Sequence, residues 1–303
     1  MKNINMNKAK KVKNDEFYTR MIDIQKELSH YREQFNDKIV FCNCNDSVLS
    51  CFYQYFDFNF DYFNLKKIIS VSFNKNERAY KLEIVRDKFG NKSLPVKSML
   101  SGNGDFRDLE CIDLLEQCDI VCTNPPFSLF REYINLLNRY DKRFLIIGNN
   151  NAITYKEIFR LIKDDKLRLG YGFDRGTAFF KAPFESSHNF SAGVYNVKTG
   201  LVRFRNVNWF TNLNVDKDFC FFEFNRASYY ENLDLYSKCD NCDVVNVNSV
   251  RDIPYDYSGV MCVPITFLNY YDSKYFKILN IDSPYIGGKR IYKRIFIQRV
   301  DLF

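Results

Sequence analysis

The sequence predicts an α/β protein built on a doubly wound, mainly parallel sheet, with a carboxy-terminal region of different character. Three observations carry this. Short β-branched runs bounded by turn residues, such as Ile120-Val121-Cys122 and Phe144-Leu145-Ile146-Ile147, match strands buried on both faces. Stretches with apolar residues at helical spacing lie between them, as at Leu129, Phe130, Tyr133, Ile134 and Leu137. The two patterns alternate from Lys38 to Phe173, which calls for parallel strands joined by crossover helices.

In chain order, residues 1–14 are polar and carry Lys2, Lys8, Lys10, Lys11 and Lys13, the pattern of a flexible basic arm able to touch phosphates. Asp15-Glu16-Phe17-Tyr18-Thr19 leads into an amphipathic helix through Ile22, Ile24, Leu28, Tyr31 and Phe35. Lys38 to Asp46 is the first sheet strand and its turn. That turn carries none of the glycines that let backbone approach a nucleotide cofactor. Asn45 and Asp46 precede a helix from Ser47 to Phe56, and Asp46 is suited to cap it. Leu65 to Asn74 is a second strand, Arg78 to Arg86 a short element and Gly90 to Pro95 a turn.

The loop Gly102-Asn103-Gly104-Asp105-Phe106-Arg107 precedes a helix from Leu109 to Gln117. The strand at Ile120 follows and ends at Asn124-Pro125-Pro126-Phe127, where two prolines forbid strand pairing and fix a turn. Arg143 to Asn149 is a further buried strand, Asn151 to Ile162 a helix, and Lys166 to Phe173 a strand with a glycine break. From Asn189 to Asn214 the pattern becomes alternating β, including Val202 to Arg205 and Trp209-Phe210. The region after Asp216 is irregular and aromatic, and it closes on a basic stretch from Gly287 to Arg299. No internal repeat is present. The organisation predicted is an arm over 1–14, a main domain over 15–215 and a terminal region over 216–303.

Composition narrows the function. With 303 residues, 46% of them hydrophobic and 27% charged, the chain is long enough to bury a large core. A net charge of +7 is compatible with a polyanionic partner. The ten cysteines form no disulfide framework, and no apolar run approaches membrane-spanning length, so a cytoplasmic protein is expected. Cys239-x-x-Cys242 has zinc-knuckle spacing, but it has no second pair and the chain has only two histidines. No metal is expected, and hydrolase-type Ser-His-Asp or Cys-His catalysis is poorly supported.

Asn124 sits just past the carboxyl end of a strand, where open α/β sheets bind ligands. Its carboxamide oxygen and the Pro125 carbonyl are two acceptors able to converge on one planar amino group, while Pro125 and Pro126 offer no competing N–H. Phe127 supplies a flat face on which an extruded base can stack. The bland alternative is a rigid turn. Asn124, Pro125, Pro126 and Phe127 together match the methyltransferase tetrapeptide Asp/Asn/Ser-Pro-Pro-Tyr/Phe/Trp.

The chain resembles the EcoRI-type adenine-specific DNA methyltransferases. The resemblance runs through Asp15 to Thr19, Phe41 to Asp46, Gly104 to Arg107, Thr123 to Tyr133, Phe144 to Gly148, Ala152 to Ile158, Leu169 to Phe173, Trp209 to Leu213, Ile253 to Leu268 and Gly288 to Ile297. It implies a Rossmann-like S-adenosylmethionine-dependent core over 15–215, a DNA target-recognition region over 216–303 and double-stranded DNA as acceptor. A cognate restriction endonuclease and a monomeric enzyme also fit.

The implied cofactor-binding residues are Phe17, Tyr18, Thr19, Phe41, Asn43, Asn45, Asp46, Asp105 and Phe106. Five of these positions keep a second reading: Phe17 to Thr19 as a hydrophobic staple on the first helix, and Asp46 and Asp105 as helix caps. Arg20 stands where the family often has Pro, and Asn45 where an acid is more usual. Lys289, Arg290, Lys293 and Arg294, with Arg299, are expected to form one DNA-binding face. RNA or protein-glutamine methyltransferases share the tetrapeptide, and a non-catalytic DNA-binding protein is the other class; a basic carboxy-terminal half favours a duplex reader.

Overall fold

The computed structural model describes residues 18–44, 50–74, 77–181, 194–217, 227–240 and 242–301. The chain divides into two compact units, one running to Ala152 and including Gly170–Val215, the other comprising Ile153–Leu169 and the chain from Asp216.

The first unit opens with strand β1 (Tyr18–Thr19), helix α1 (Met21–Leu28) and a 3-10 turn over Ser29–Phe35. There follow β2 (Ile39–Cys42), α2 (Cys51–Phe58), β3 (Lys67–Val71), β4 (Tyr80–Val85), β5 (Val96–Met99), α3 (Leu109–Gln117), β6 (Ile120–Thr123), α4 (Phe130–Arg139) and β7 (Arg143–Asn149). Helix α5 (Lys156–Lys163) and the two-residue β8 (Arg168–Leu169) lie in the second unit. β9 (Ala178–Lys181), β10 (Tyr195–Asn196), β11 (Leu201–Phe204) and β12 (Val207–Thr211) return to the first.

Each strand of the central group forms for the reason its sequence suggests. β6 and β7 are apolar and buried nearly throughout, as strands covered on both faces must be. α4 buries Phe130, Tyr133, Ile134 and Leu137, one stripe at helical spacing.

The large sheet of this unit runs β5-β4-β3-β2-β6-β7-β12. Only β3-β2-β6-β7 is parallel; β4, β5 and β12 pair antiparallel with their neighbours. The sheet is therefore mixed, not mainly parallel as the alternation predicts. The physical cause is connection length. From Val71 to Tyr80 the chain is too short for a crossover helix, and it returns as a hairpin closed by Ser72 N–H donating to the Tyr80 carbonyl at 2.9 Å. The segment predicted as a strand over Lys166 to Phe173 is extended only at Arg168–Leu169, and Gly172 at φ +96° turns the chain away.

A second sheet, β1-β9-β11-β10, is antiparallel throughout. One buried cluster joins its inner residues Phe180, Val202 and Phe204 to Val40 and Cys42 of β2, Ile120 and Cys122 of β6, and Trp209 of β12.

The second unit contradicts the expectation of an irregular tail. It holds β13 (Val245–Asn246), β14 (Met261–Pro264), β15 (Phe276–Asp282), the pair β16 (Tyr285–Ile286) and β17 (Lys289–Arg290), and β18 (Arg294–Arg299). Four of these form a sheet in the order β13-β14-β18-β15. Its signal is hidden because the strands are short and the register shifts between Ile278 and Asn280, which interrupts the period of two.

In β18, Ile295, Ile297 and Arg299 face inward. Arg299 is 1% exposed and binds Asp301 at 2.9 and 2.6 Å, so it does not belong to a solvent-facing basic surface. Among the described residues no helix is long and apolar enough to cross a membrane.

Candidate active site

The carboxyl ends of β2, β3 and β6 lie side by side, and the sequence places its polar turn residues there. At the end of β6, Thr123 donates its hydroxyl to the Asn43 carbonyl just past β2, tying the two strand ends together. Asn124 follows, 6% exposed, and Pro125 is buried beside it. The Pro126 carbonyl accepts from Leu129 N–H at 2.9 Å, which closes the proline turn and starts α4.

Phe127 is half-buried, its ring edge-to-face with Phe180 and Phe204 at centroid distances of 6.4 Å each. Those two rings come from β9 and β11. Thr19 on β1 lies opposite Phe180 in the same sheet. Thr19 and the proline turn are thus brought together through Phe180, although more than a hundred residues separate them.

The Asn43 side chain is 4% exposed and its oxygen accepts from the Tyr133 hydroxyl at 2.6 Å. Burial pushes the Tyr133 phenol well above its ordinary range, so it remains a donor. Phe106 stands edge-to-face on Tyr133 at 4.9 Å. Tyr133 therefore links the turn after β2, the loop before α3 and the helix after the proline turn. The sequence assigns Tyr133 only to the apolar stripe of α4. Its spacing reveals burial but not the partner of its hydroxyl.

Asp105 accepts from the Arg107 guanidinium at 2.8 and 2.6 Å and from Arg107 N–H at 3.0 Å. These bonds hold its carboxyl below the usual carboxylate range. Asp108, not Asp105, occupies the N-cap position of α3, and its side chain makes no cap bond. Gly104, at φ +82°, lies against β3: a Cβ there would meet the Ser72 carbonyl oxygen at 2.0 Å. Phe41 is wholly buried within β2, a core position rather than a surface of the cleft. Tyr18 is half-buried on β1. Phe17, Asn45 and Asp46 lie outside the described residues.

Thr19 is 5% exposed, and its hydroxyl has no hydrogen-bond partner among the described residues. A buried hydroxyl in that condition suits a polar ligand. The Gly104 close approach, the Phe106 ring and the Asp105 carboxylate frame one rim of the same group of strand ends, so the residues present fit a nucleoside-bearing cofactor.

One buried carboxylate has no counterpart in the sequence pattern. Glu27 of α1 is 0% exposed and accepts from the Tyr31 hydroxyl at 2.8 Å, Tyr171 N–H at 2.8 Å and Gly172 N–H at 2.9 Å. It anchors the chain entering β9. A helix-face Glu gives no sequence signal of this.

In the second unit Lys289 and Arg290 are exposed on β17, Lys293 reaches the Thr154 carbonyl at 3.5 Å and Arg294 the Val247 carbonyl at 3.5 Å. Among the described residues no group of His, Cys, Asp and Glu could hold a metal ion.

A profile of the family described as Adenine-specific methyltransferase EcoRI matches residues 5–299. The Type II methyltransferase M.EcoRI of Escherichia coli is 42% identical over 97% of this chain and 95% of its own length. Type II methyltransferase M.MpnI of Mycoplasma pneumoniae is 39% identical over 97% of each chain, and M.MgeORF184P of Mycoplasma genitalium 38% over 97% of this chain and 98% of its own. No solved structure matches significantly. Over nearly its whole length, the chain belongs to the EcoRI family of adenine-specific methyltransferases.

Proposed function

We propose that this protein is a site-specific DNA methyltransferase that moves a methyl group from S-adenosylmethionine to the 6-amino group of an adenine flipped out of double-stranded DNA. Family membership supports the reaction, and the relatives' designation as Type II methyltransferases supports a role in restriction-modification beside a cognate endonuclease. The observation that carries the site is the Asn124-to-Phe127 turn at the end of β6, its ring held by Phe180 and Phe204. The parallel centre β3-β2-β6-β7 supports a Rossmann-like core, and the second unit is the candidate recognition region.

Flipping the base costs a few kcal/mol of pairing and stacking. Phe127 offers the extruded ring a stacking face. The Asn124 oxygen and the Pro125 carbonyl accept from the two amino protons, favouring a pyramidal nitrogen whose lone pair points at the methyl group. Thr19, Asp105 and Phe106 are the residues that would hold the cofactor, which supplies a methyl already activated by its sulfonium. With an activated donor, positioning provides most of the acceleration. The surplus proton leaves to solvent after transfer.

Incubation of the full-length protein with labelled S-adenosylmethionine and, separately, DNA, RNA and protein should label DNA on adenine N6. Label on RNA or on glutamine instead would replace this reading.

Two predictions arise here. Replacing Asp105 by Ala should raise the cofactor dissociation constant roughly tenfold, as loss of a charge-assisted hydrogen bond implies, with DNA affinity unchanged. An unaltered calorimetric titration would leave Asp105 with Arg107 as its sole function. Neutralising Lys289, Arg290 and Lys293 together should weaken DNA binding and flatten its log–log salt dependence by about 0.9 for each phosphate no longer neutralised, without moving cofactor affinity. A wild-type slope would make the segment purely structural.

A further inference from the structure

Cys239, Cys242 and Cys262 lie together in the second unit, and the function proposed above uses none of them. The Cys239 and Cys262 sulfurs are 3.7 Å apart and both residues are buried. The Cys239 thiol is also within hydrogen-bonding reach of Cys242, the exposed member of the three. Cys239 therefore touches both of the others. Among the described residues no group of side chains could hold a metal ion, so what this cluster offers is thiol chemistry.

The residue after Cys239 reaches the β16–β17 hairpin. Asp240 N–H donates to the Tyr285 carbonyl at 2.9 Å, and its carboxylate accepts from Gly287 N–H at 2.8 Å and Gly288 N–H at 2.7 Å. Ile286 of the same hairpin packs against the cluster of Cys239, Val244 and Cys262. The turn that presents Lys289 and Arg290 is thus fastened to the backbone beside Cys239.

We propose that Cys239, Cys242 and Cys262 form a thiol relay which a peroxide converts to a Cys239–Cys262 disulfide, and that this bond loosens the β16–β17 hairpin. Cys242 is the entry point because it alone of the three is exposed, while burial pushes the Cys239 and Cys262 thiols up. Its thiolate attacks one peroxide oxygen; the O–O bond breaks, Cys242 becomes a sulfenic acid and hydroxide leaves as water. The Cys239 sulfur then attacks that of Cys242, the S–O bond breaks and a second water departs with the Cys239 proton. Cys262 attacks Cys239 in turn, giving the Cys239–Cys262 bond and returning Cys242 as a thiol with the proton from Cys262. Two thiols lose two electrons and two protons, and the peroxide is reduced to water. Bonding sulfurs now 3.7 Å apart draws Cys239 toward β14. A packed cluster passes that movement to its neighbours, and the Asp240 bonds to Gly287 and Gly288 lose their alignment.

The test exposes the fully reduced, full-length protein to dilute hydrogen peroxide. Peptide mapping by mass spectrometry without reductant should find Cys239 joined to Cys262. Cys262→Ser should stop the relay at a Cys239–Cys242 bond, and Cys242→Ser should slow linkage several-fold. Hydrogen exchange at the Gly287 and Gly288 amides should quicken roughly tenfold on oxidation, as loss of a charge-assisted hydrogen bond implies, and dithiothreitol should reverse it. Peroxide that joins none of the three cysteines overturns the proposal, as does a linkage that leaves exchange at Gly287 and Gly288 unchanged. Should Cys262→Ser fail to fold, Cys242→Ser decides, and linkage at the wild-type rate in that variant overturns the relay. The consequence for DNA rests on the function proposed above: oxidation should shallow the log–log salt slope of binding to mixed-sequence plasmid duplex by up to about 1.8, from about 0.9 for each of Lys289 and Arg290. Linkage and faster exchange with an unchanged slope would remove those two residues from the DNA contact and leave the relay standing.

Discussion

Asn124→Ala is expected to reduce methyl transfer by about 100-fold or more while S-adenosylmethionine binding stays near normal. The expectation follows from what the carboxamide does in the proposed reaction. Positive charge develops on the amino nitrogen as the methyl arrives, and a fixed acceptor aimed at such charge carries typically two to three orders of magnitude in rate. Asn124 is suited to this because the proline turn and the Thr123–Asn43 tie fix its backbone before substrate arrives. Single-turnover rates at saturating cofactor and DNA separate chemistry from binding, and a variant with near-normal turnover would remove Asn124 from catalysis. Phe127→Ala should be milder, losing about 1–3 kcal/mol of base stacking. Phe180 and Phe204 would still close the apolar floor under the vacated ring.

The local chemistry of this site is legible in the residues themselves. Asn-Pro-Pro-Phe after a buried run and before an amphipathic stripe identifies a strand end, a turn and a helix start, and α3 and β7 fall where their apolar patterns place them. What is not legible is what the tertiary fold supplies. Phe204 reads as an ordinary β-strand aromatic and Phe180 falls in a stretch given no element, and only the pairing of β1, β9 and β11 brings them to Phe127. Tyr133 and Glu27 are buried polar groups that bond Asn43 and the Tyr171 backbone, 90 and 144 residues away in the chain and beyond the reach of any periodicity. Arg299 shows the opposite failure. Its charge suggests a surface, but a cation can be buried when a carboxylate at i+2 and an aromatic ring receive it, as Asp301 and Phe276 do. The mixed sheet is hidden for a simpler reason: strand direction depends on loop length, and the hairpin after β3 leaves no room for a helix.

Gly104→Ala is expected to destabilise the first unit by about 2–5 kcal/mol and to weaken cofactor binding with it. Two effects combine. An L side chain at φ +82° costs about 1–2 kcal/mol on backbone conformation alone. The added Cβ would also stand 2.0 Å from the Ser72 carbonyl oxygen and 2.9 Å from Ala79 Cβ, and overpacking of this kind costs about 1–3 kcal/mol. Relief by a small shift is blocked on both sides. Asn74 N–H donates to the Asn103 carbonyl at 3.0 Å and Ala79 N–H to the Gly102 carbonyl at 2.9 Å, zipping this loop to the β3–β4 hairpin. A displaced Gly104 must therefore carry Asp105 and Phe106 with it, and Phe106 in turn leans on Tyr133 and so on Asn43. Gly90→Ala is the matched control, because Gly90 has φ +87° and nothing within 4 Å of the added carbon. Denaturant midpoints at unchanged slope compare the two variants directly. Equal stability of Gly104→Ala and Gly90→Ala would mean that the loop yields without cost and that Gly104 is kept for its backbone angle alone; a larger loss at Gly104, accompanied by weaker cofactor binding absent at Gly90, would tie the close approach to the shape of the site.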